Sequence, residues 1–152
     1  MKYSTKLSQA VHILVFIKLG PSSDLSSTAI AKSIQTNPGC VRQIMMKLRE
    51  AGLLNSVTGH AKPSLAKDPT DITLLDLYRA IEGTKPLLHL DTQTNPLCGV
   101  GINIQLSLQK YYDEIQEAAE HKMREITLAH IINLYHEKID QPYFSQQNNS
   151  EF

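Results

Sequence analysis

The sequence has 152 residues, a mass of 17.0 kDa and a formal net charge of zero, with 41% hydrophobic and 20% charged residues. These totals are typical of one globular domain with an accessory element. No apolar run approaches the roughly 18 residues that span a bilayer, and no signal-peptide block follows the N-terminus, so we expect a cytoplasmic protein without membrane contact. Two cysteines, Cys40 and Cys98, are too few for a disulfide framework or a four-cysteine metal site.

The zero net charge conceals two halves of opposite sign. Residues 1–67 contain nine Lys and Arg against two Asp and Glu, a charge of +7, and the remaining residues contain six against thirteen, a charge of −7. This pattern indicates a part that binds a polyanion joined to a part that does not. Chance segregation of solvated charges is the alternative interpretation.

Helical periodicity predicts two helices at the start of the chain. Ser4 is a candidate N-cap for the first helix, which should end at Gly20-Pro21. Ser26 is a candidate N-cap for a shorter second helix. A tight turn at Gln35-Thr36 then leads to the next helical segment.

The third helix has the clearest local signals. Asn37 followed by Pro38 is typical of an N-cap and a first helical residue, and Gly52 provides a left-handed stop. One apolar stripe, which faces the core, consists of Val41, Ile44, Met45 and Leu48. Two helices joined by a short turn, the second of them amphipathic and basic, predict a helix-turn-helix.

The outward face of the third helix is the predicted DNA-reading surface, and its residues are Gly39, Arg42, Gln43, Met46 and Lys47. Arg42 has the chemistry to donate two hydrogen bonds to guanine, and Gln43 has the chemistry to pair with adenine. Lys47, Arg49 and Lys62 are better suited to phosphates. An ordinary solvated helix face is the alternative.

A β-hairpin is predicted directly after the third helix. The segment "LLNSV" forms its first strand, "TGHAKP" the turn and "SLA" the returning strand. Such a hairpin behind a helix-turn-helix is a wing, and Lys62 is expected at or near its tip. The fold class is therefore mainly α-helical with a small hairpin, a winged helix-turn-helix domain followed by a long helix.

The second half of the chain predicts a helix over "DITLLDLYRAIEG", with Thr73 and Asp76 as a capping box and Gly83 as its end. A loop over residues 84–101 holds Cys98. A long helix follows from Ile102, and its apolar positions are Ile104, Leu108, Tyr111, Ile115 and Ala118. Their spacing favours a helix-on-helix seam, although packing on the chain's own domain would give a similar stripe.

These predictions divide the chain into four parts. Residues 1–83 form the DNA-binding domain, 84–101 a loop, 102–140 the long helix and a last helix capped by Thr127, and 141–152 a poorly ordered tail.

The order of these elements, together with "STKLSQAVHILVFI", "KLREAGLL", "LAKDPTDITLLDLYRAIEG" and "NPLCGVG", resembles the Rrf2 family of bacterial transcription regulators. The resemblance covers nearly everything from Lys2 to Tyr135. It implies a winged helix-turn-helix that binds double-stranded DNA, a homodimer paired through the long helix, and transcriptional control that is usually repression.

Two features depart from the family pattern. Family wings commonly carry an arginine that enters the minor groove, whereas this chain has Thr58 there, so the role passes to Lys62 only by conjecture. Members with an iron–sulfur cluster carry three closely spaced cysteines before the long helix, whereas this chain has Cys98 alone. We therefore expect no iron–sulfur cluster and no metal site. The loop is similar to that of a cluster-free subgroup that includes thiol sensors.

Cys98 is the candidate sensor. Oxidation of Cys98, or its joining to another thiol, could shift the two DNA-binding domains of a dimer. Alternatively, Cys98 could be a small buried residue at the start of the dimer helix. A small-molecule effector without a redox role is another possibility, as is a winged helix used only for protein interaction. The sequence carries no phosphate loop, nucleophile elbow or paired-carboxylate motif, so we do not expect an enzyme.

Overall fold

The computed structural model describes residues 4–57 and 60–140, which form six α-helices and one antiparallel hairpin. The helices are α1 (Lys6–Leu19), α2 (Ser27–Ile34), α3 (Pro38–Glu50), α4 (Leu74–Glu82), α5 (Gly99–Glu125) and α6 (Leu128–Ile139). The strands are β1 (Leu54–Val57) and β2 (His60–Leu65), and a short 3-10 turn spans Pro69–Asp71. The predicted fold class, helical with a hairpin wing and a long C-terminal helix, is confirmed.

One hydrophobic core holds α1 to α4, the start of β1 and α6 together, and we call this unit the head. Ile13 and Leu14 of α1 are fully buried there, as is Leu128 of α6. Buried residues of α2, α3 and α4 complete the cluster. Apolar burial of this extent is the main stabilising contribution to such a unit.

Short-range capping determines where α3 begins. The Asn37 side chain accepts a hydrogen bond from the Cys40 N–H at 2.9 Å, and Pro38 occupies the first turn. Gln35 ends α2 in the left-handed conformation with φ 60°, which produces the tight turn between the two helices. Gly52 has φ +73° after α3, a conformation that favours glycine. These predictions for the third helix are confirmed.

The hairpin differs from its prediction. β2 begins at His60, so the segment expected to be a turn is largely strand, and Lys62, expected at or near the tip, lies within β2. The register pairs Asn55 with Ser64 and Val57 with His60, which leaves three residues of β2 opposite Ser56. Pro63 lies in this bulge, because a residue without an N–H interrupts a regular ladder. Thr58, which replaces the family's arginine, lies outside the described residues.

The helix α5 begins at Gly99, three residues earlier than predicted, so residues 99–101 belong to the helix and not to the loop. Its start packs against the preceding segment, because a Cβ at Gly101 would lie 3.1 Å from the Asn95 carbonyl oxygen. The chain then returns to the head. Leu128 donates its N–H to the Ile72 carbonyl at 2.8 Å, and Leu74 donates to the Ile126 carbonyl at 2.7 Å.

The N-terminal cap prediction was wrong. Thr5, and not Ser4, is the N-cap of α1, and its side chain makes no capping hydrogen bond. The Ser4 hydroxyl instead donates to the Glu82 carboxylate at 2.8 Å, a contact across 78 residues of sequence. Within residues 4–57 and 60–140, no helix combines the length and apolar character needed to cross a membrane.

Candidate nucleic-acid interface

The outward face of α3 presents polar side chains on a helix that is fixed from behind. Arg42 and Gln43 are exposed, and so is Met46. Behind them Val41 and Leu48 are fully buried. The first turn is also fixed at its start by the Asn37 cap, so the predicted base-reading side chains project from a rigid support.

Gly39 lies in the first turn of α3 and is half-buried. A Cβ at this position would lie 3.0 Å from the Asn37 side-chain oxygen, the same atom that caps the helix. The glycine therefore has a local reason to be there, in addition to the close backbone approach predicted for it. At the other end of the helix Arg49 is exposed.

Lys47 has a different environment from the other members of the predicted face. It is half-buried, and its Nζ donates a hydrogen bond to the Ile81 carbonyl oxygen at 3.1 Å. Ile81 belongs to the last turn of α4, where helix carbonyls lack partners within the helix. The structure thus directs Lys47 toward α4, whereas the helical periodicity grouped it with the outward residues.

Lys62 is exposed on β2, and Pro63 next to it is buried. The wing therefore presents one cation from the bulged part of its second strand. The phosphate contact predicted for Lys62 stays a prediction.

A polar network connects the head to α5, and Gln116 is at its centre. The Gln116 side-chain oxygen accepts from the Leu87 N–H at 2.9 Å, and its amide nitrogen donates to Glu120 at 3.0 Å and to the Tyr78 hydroxyl at 3.5 Å. The Tyr78 hydroxyl donates in turn to the Lys85 carbonyl at 2.6 Å. Sequence reasoning missed Gln116, because its partners lie 29 and 38 residues away and leave no local signal.

Electrostatics strengthens the same junction. The hydrogen bond from Gln116 holds the pKa of Glu120 below its usual range, and the positive charge of Arg79 acts in the same direction. Arg79 of α4 lies 3.3 Å from the Glu120 carboxylate of α5. Nearer the start of α5, Gln105 accepts from the Asp91 N–H at 3.1 Å. The connection between α4 and α5 is therefore held against α5 by two glutamines.

Cys98 is exposed and occupies the N-cap position of α5, where its side chain makes no capping hydrogen bond. It is therefore not a buried residue within the single chain. Cys40 is half-buried in α3. Among the residues that the structure describes, no three His, Cys, Asp or Glu side chains are grouped as a metal site.

The predicted seam of α5 is largely solvent-exposed in the single chain. Ile104, Tyr111 and Ile115 are 46%, 57% and 48% exposed, Leu108 is half-buried and Ala118 is exposed. None of the 27 residues of α5 is buried. An exposed apolar stripe along one helix is a candidate interaction surface.

Comparison with known proteins shows that the chain is similar to transcription regulators over most of its length. Residues 3–134 match the model of the Rrf2 family, described as iron-dependent transcriptional regulators. YwnA of Bacillus subtilis, which is named as an HTH-type transcriptional regulator, is 36% identical over 130 residues, 86% of this chain and 96% of YwnA. YwgB of the same organism, named likewise, is 30% identical over 92% of this chain and 90% of its own.

The fold is also similar to that of solved structures. The solved structure of CymR, the global cysteine regulator of B. subtilis, has a TM-score of 0.63 and 21% identity, covering 88% of this chain and 98% of CymR. Because the relatives are regulators, the expectation that this chain is not an enzyme is confirmed.

The residues of this chain do not match the iron-dependence in the family description. Iron–sulfur clusters are held by about four ligands, most of them cysteine thiolates. The chain has two cysteines, one in α3 and one before α5, and two subunits together would contribute only two copies of Cys98 at this loop. The donor set therefore does not fit such a cluster.

Proposed function

The chain belongs to the Rrf2 family and is a DNA-binding transcription regulator, and from this premise we propose that it is a homodimeric repressor of a partly palindromic operator. A twofold dimer presents two copies of α3, and such a dimer matches a DNA site with the same symmetry. Half-sites on one face of the duplex would be about 34 Å apart or a multiple of that distance. The proposed place of action is the cytoplasm.

The exposed side of α3 is the observation that carries the DNA-reading part of the proposal. Arg42 and Gln43 project from the early turns of a capped helix whose opposite side is buried in the head. We assign Arg42 to guanine and Gln43 to adenine in the major groove. Arg49 and Lys62 are assigned to phosphates, which orient the protein without reading sequence.

The homodimer part of the proposal is supported by α5. Its exposed stripe runs from Ile104 to Ala118 with the spacing of a helix-on-helix seam. Pairing two copies of this stripe would remove apolar surface from water and would orient the two heads relative to each other.

Cys98 is the proposed sensor, and the protein is proposed to work without an iron–sulfur cluster. The exposed thiol of Cys98 is at the junction between the loop and α5. Hydrogen peroxide would oxidise the thiolate: sulfur forms an S–O bond as the O–O bond breaks, a sulfenic acid results, and the leaving oxygen departs with the electron pair as hydroxide, which solvent protonates to water. Because the loop is bonded to Gln105 and Gln116 of α5, a polar modification at its end would disturb the same helix that pairs the subunits.

The proposed base contacts are tested by comparing Arg42→Ala with Lys62→Met on operator DNA and on random DNA. Arg42→Ala should lose about 1–3 kcal/mol of discrimination against a changed guanine, because a bidentate contact is removed. Lys62→Met should weaken binding to both DNAs similarly. Equal losses on both DNAs for Arg42→Ala would contradict its assignment.

The sensing proposal is tested by a gel shift on the DNA upstream of the protein's own gene, before and after mild peroxide treatment. The native protein should lose operator binding on oxidation, and Cys98→Ser should keep it, with Cys40→Ser as the matched control that behaves like the native protein. An equal response of native protein and Cys98→Ser would contradict the thiol switch. A native complex indifferent to peroxide would direct the search to a small-molecule effector.

A further inference from the structure

The position of Lys47 separates it from every other cation on α3. Its ammonium group lies 3.1 Å from the Ile81 carbonyl oxygen, and the residue is half-buried. Arg42 and Arg49, its neighbours on the same helix, are exposed. A cation that is engaged between two helices is poorly placed to contact a phosphate at the surface of the protein.

The partner of Lys47 is chemically well matched to a positive charge. Ile81 is in the last turn of α4, where carbonyl groups point out of the helix end and carry its partial negative charge. Gly83 then ends the helix with φ +64°. The hydrogen bond therefore connects the C-terminal half of α3 to the C-terminus of α4, across 34 residues of sequence.

The C-terminus of α4 is also where the head meets α5. Immediately after it, the Lys85 carbonyl accepts from Tyr78, and the Leu87 N–H donates to Gln116. The segment from Ile81 to Leu87 therefore contacts both α3, through Lys47, and α5, through Gln116.

We infer that Lys47 is a positioning residue, which sets the angle of α3 by holding it against the end of α4, and that it does not contact DNA. This inference rests on the proposed reading of DNA by α3. Base contacts need hydrogen-bond distances near 3 Å and nearly linear geometry, so a small rotation of α3 weakens them. Long side chains that contact phosphates tolerate the same rotation, because they can adjust their rotamers.

The test measures binding of the full-length protein to operator and to random DNA by fluorescence anisotropy, at salt concentrations from about 50 to 200 mM. The variants are Lys47→Met, which keeps the aliphatic stem and removes the donor and the charge, Lys47→Arg, which restores both, and Lys62→Met as the control. Thermal unfolding of each variant is recorded in parallel to establish that it is folded at the assay temperature.

For Lys47→Met we expect about a tenfold loss on the operator, an unchanged affinity for random DNA and an unchanged salt dependence, since the same phosphates stay neutralised. Lys47→Arg should recover most of the operator affinity. Lys62→Met should weaken both complexes and reduce the salt slope by about 0.9 for each phosphate that is no longer neutralised.

Three results would overturn the inference. A reduced salt slope with equal losses on both DNAs would make Lys47 a phosphate contact. A lower melting temperature with normal operator affinity at 25 °C would make it a structural residue only. If the native protein itself did not distinguish operator from random DNA, the proposed reading of DNA by α3 would fail. The role of Lys47 in positioning α3 for that reading would then fail too.

Discussion

The helices α3 and α5 have the same kind of amphipathic pattern, yet the structure treats their apolar faces in opposite ways. Val41 and Leu48 of α3 are fully buried in the head. Ile104 and Ile115 of α5 are about half exposed, at 46% and 48%. Both helices expose polar side chains, but α3 has a complete set of neighbours within the chain and α5 does not.

This difference indicates that one chain forms a complete head attached to a helix whose apolar stripe stays exposed, as the proposed dimer requires. The core of the head supports α3 without any help from a second copy. The apolar stripe of α5 is exposed in the single chain, and polar contacts of Gln116 and of the pair Arg79 and Glu120 attach this helix to the head and to the loop before it. Four predictions test this contrast, in order of decreasing expected effect.

The largest effect is expected from Ile104→Glu in α5. A carboxylate in the apolar seam would have to lose its hydration on pairing, so the dimer should dissociate to a species of 17.0 kDa while the head stays folded. Operator affinity should fall by about 100-fold or more, because the two heads no longer bind as one unit. Sedimentation equilibrium measures the mass, and anisotropy measures the affinity.

Asn103→Glu is the matched control for that variant, since it introduces the same residue at the adjacent position outside the stripe, which is also exposed. It should remain dimeric. Equal masses for the two variants would contradict the assignment of the stripe as the seam.

Leu48→Ala in α3 should lower the free energy of unfolding by about 2–5 kcal/mol, because it leaves a cavity at a fully buried position. Ile115→Ala in α5 should instead destabilise the protein in a concentration-dependent way, since its proposed partner is a second chain. Urea denaturation at two protein concentrations separates these cases. A concentration-independent loss of several kcal/mol for Ile115→Ala would show that α5 is supported within its own chain.

The two helix starts give a smaller contrast. Asn37→Ala should cost about 1 kcal/mol, because it removes the capping hydrogen bond to the Cys40 N–H. Cys98→Ala should change stability by less than about 0.5 kcal/mol, since the Cys98 side chain does not cap α5. Chemical denaturation measures the free energy of unfolding of both variants. Similar losses of stability would contradict the prediction that Asn37 caps its helix and Cys98 does not.

The smallest effect concerns the junction of α5 with the head. Hydrogen bonding by Gln116, together with the charge of Arg79, lowers the folded-state pKa of Glu120. The associated stability is therefore present above the ordinary glutamate pKa of about 4.3 and is lost as pH falls through the lower folded value. In Glu120→Gln, the melting temperature should therefore fall less steeply with decreasing pH than in the native protein. Melting curves from pH 7 to pH 3 that run parallel for native and variant protein would contradict it.

Local signals made most of the head predictable. The Asn37 cap, the stop at Gly52 and the capping box of Thr73 and Asp76 all depend on contacts within a few residues, and the structure contains each of them. The start of α5 was predicted three residues late, because Gly99 and Gly101 are weak helix formers. A glycine suits position 101 because a Cβ there would approach the Asn95 carbonyl oxygen closely.

The candidate site was predicted less completely than the fold. The pattern placed Lys47 with the outward residues of α3 because periodicity identifies a side of a helix but not the direction of a flexible side chain near its edge. It also placed Lys62 at a turn, whereas the strand β2 extends through it with a bulge at Pro63. In both cases the deciding contact is with another element of the fold.

The sequence by itself determined the order of the elements, the caps and the apolar stripes of α3 and α5, because these depend on neighbours three or four residues apart. Only the tertiary structure decided which stripe is covered within the chain, that Lys47 bonds to Ile81, and that Gln116 joins the loop to α5. The physical reason is that these outcomes depend on partners about 30 residues away, and a periodic pattern carries no information about which distant surface a side chain will meet.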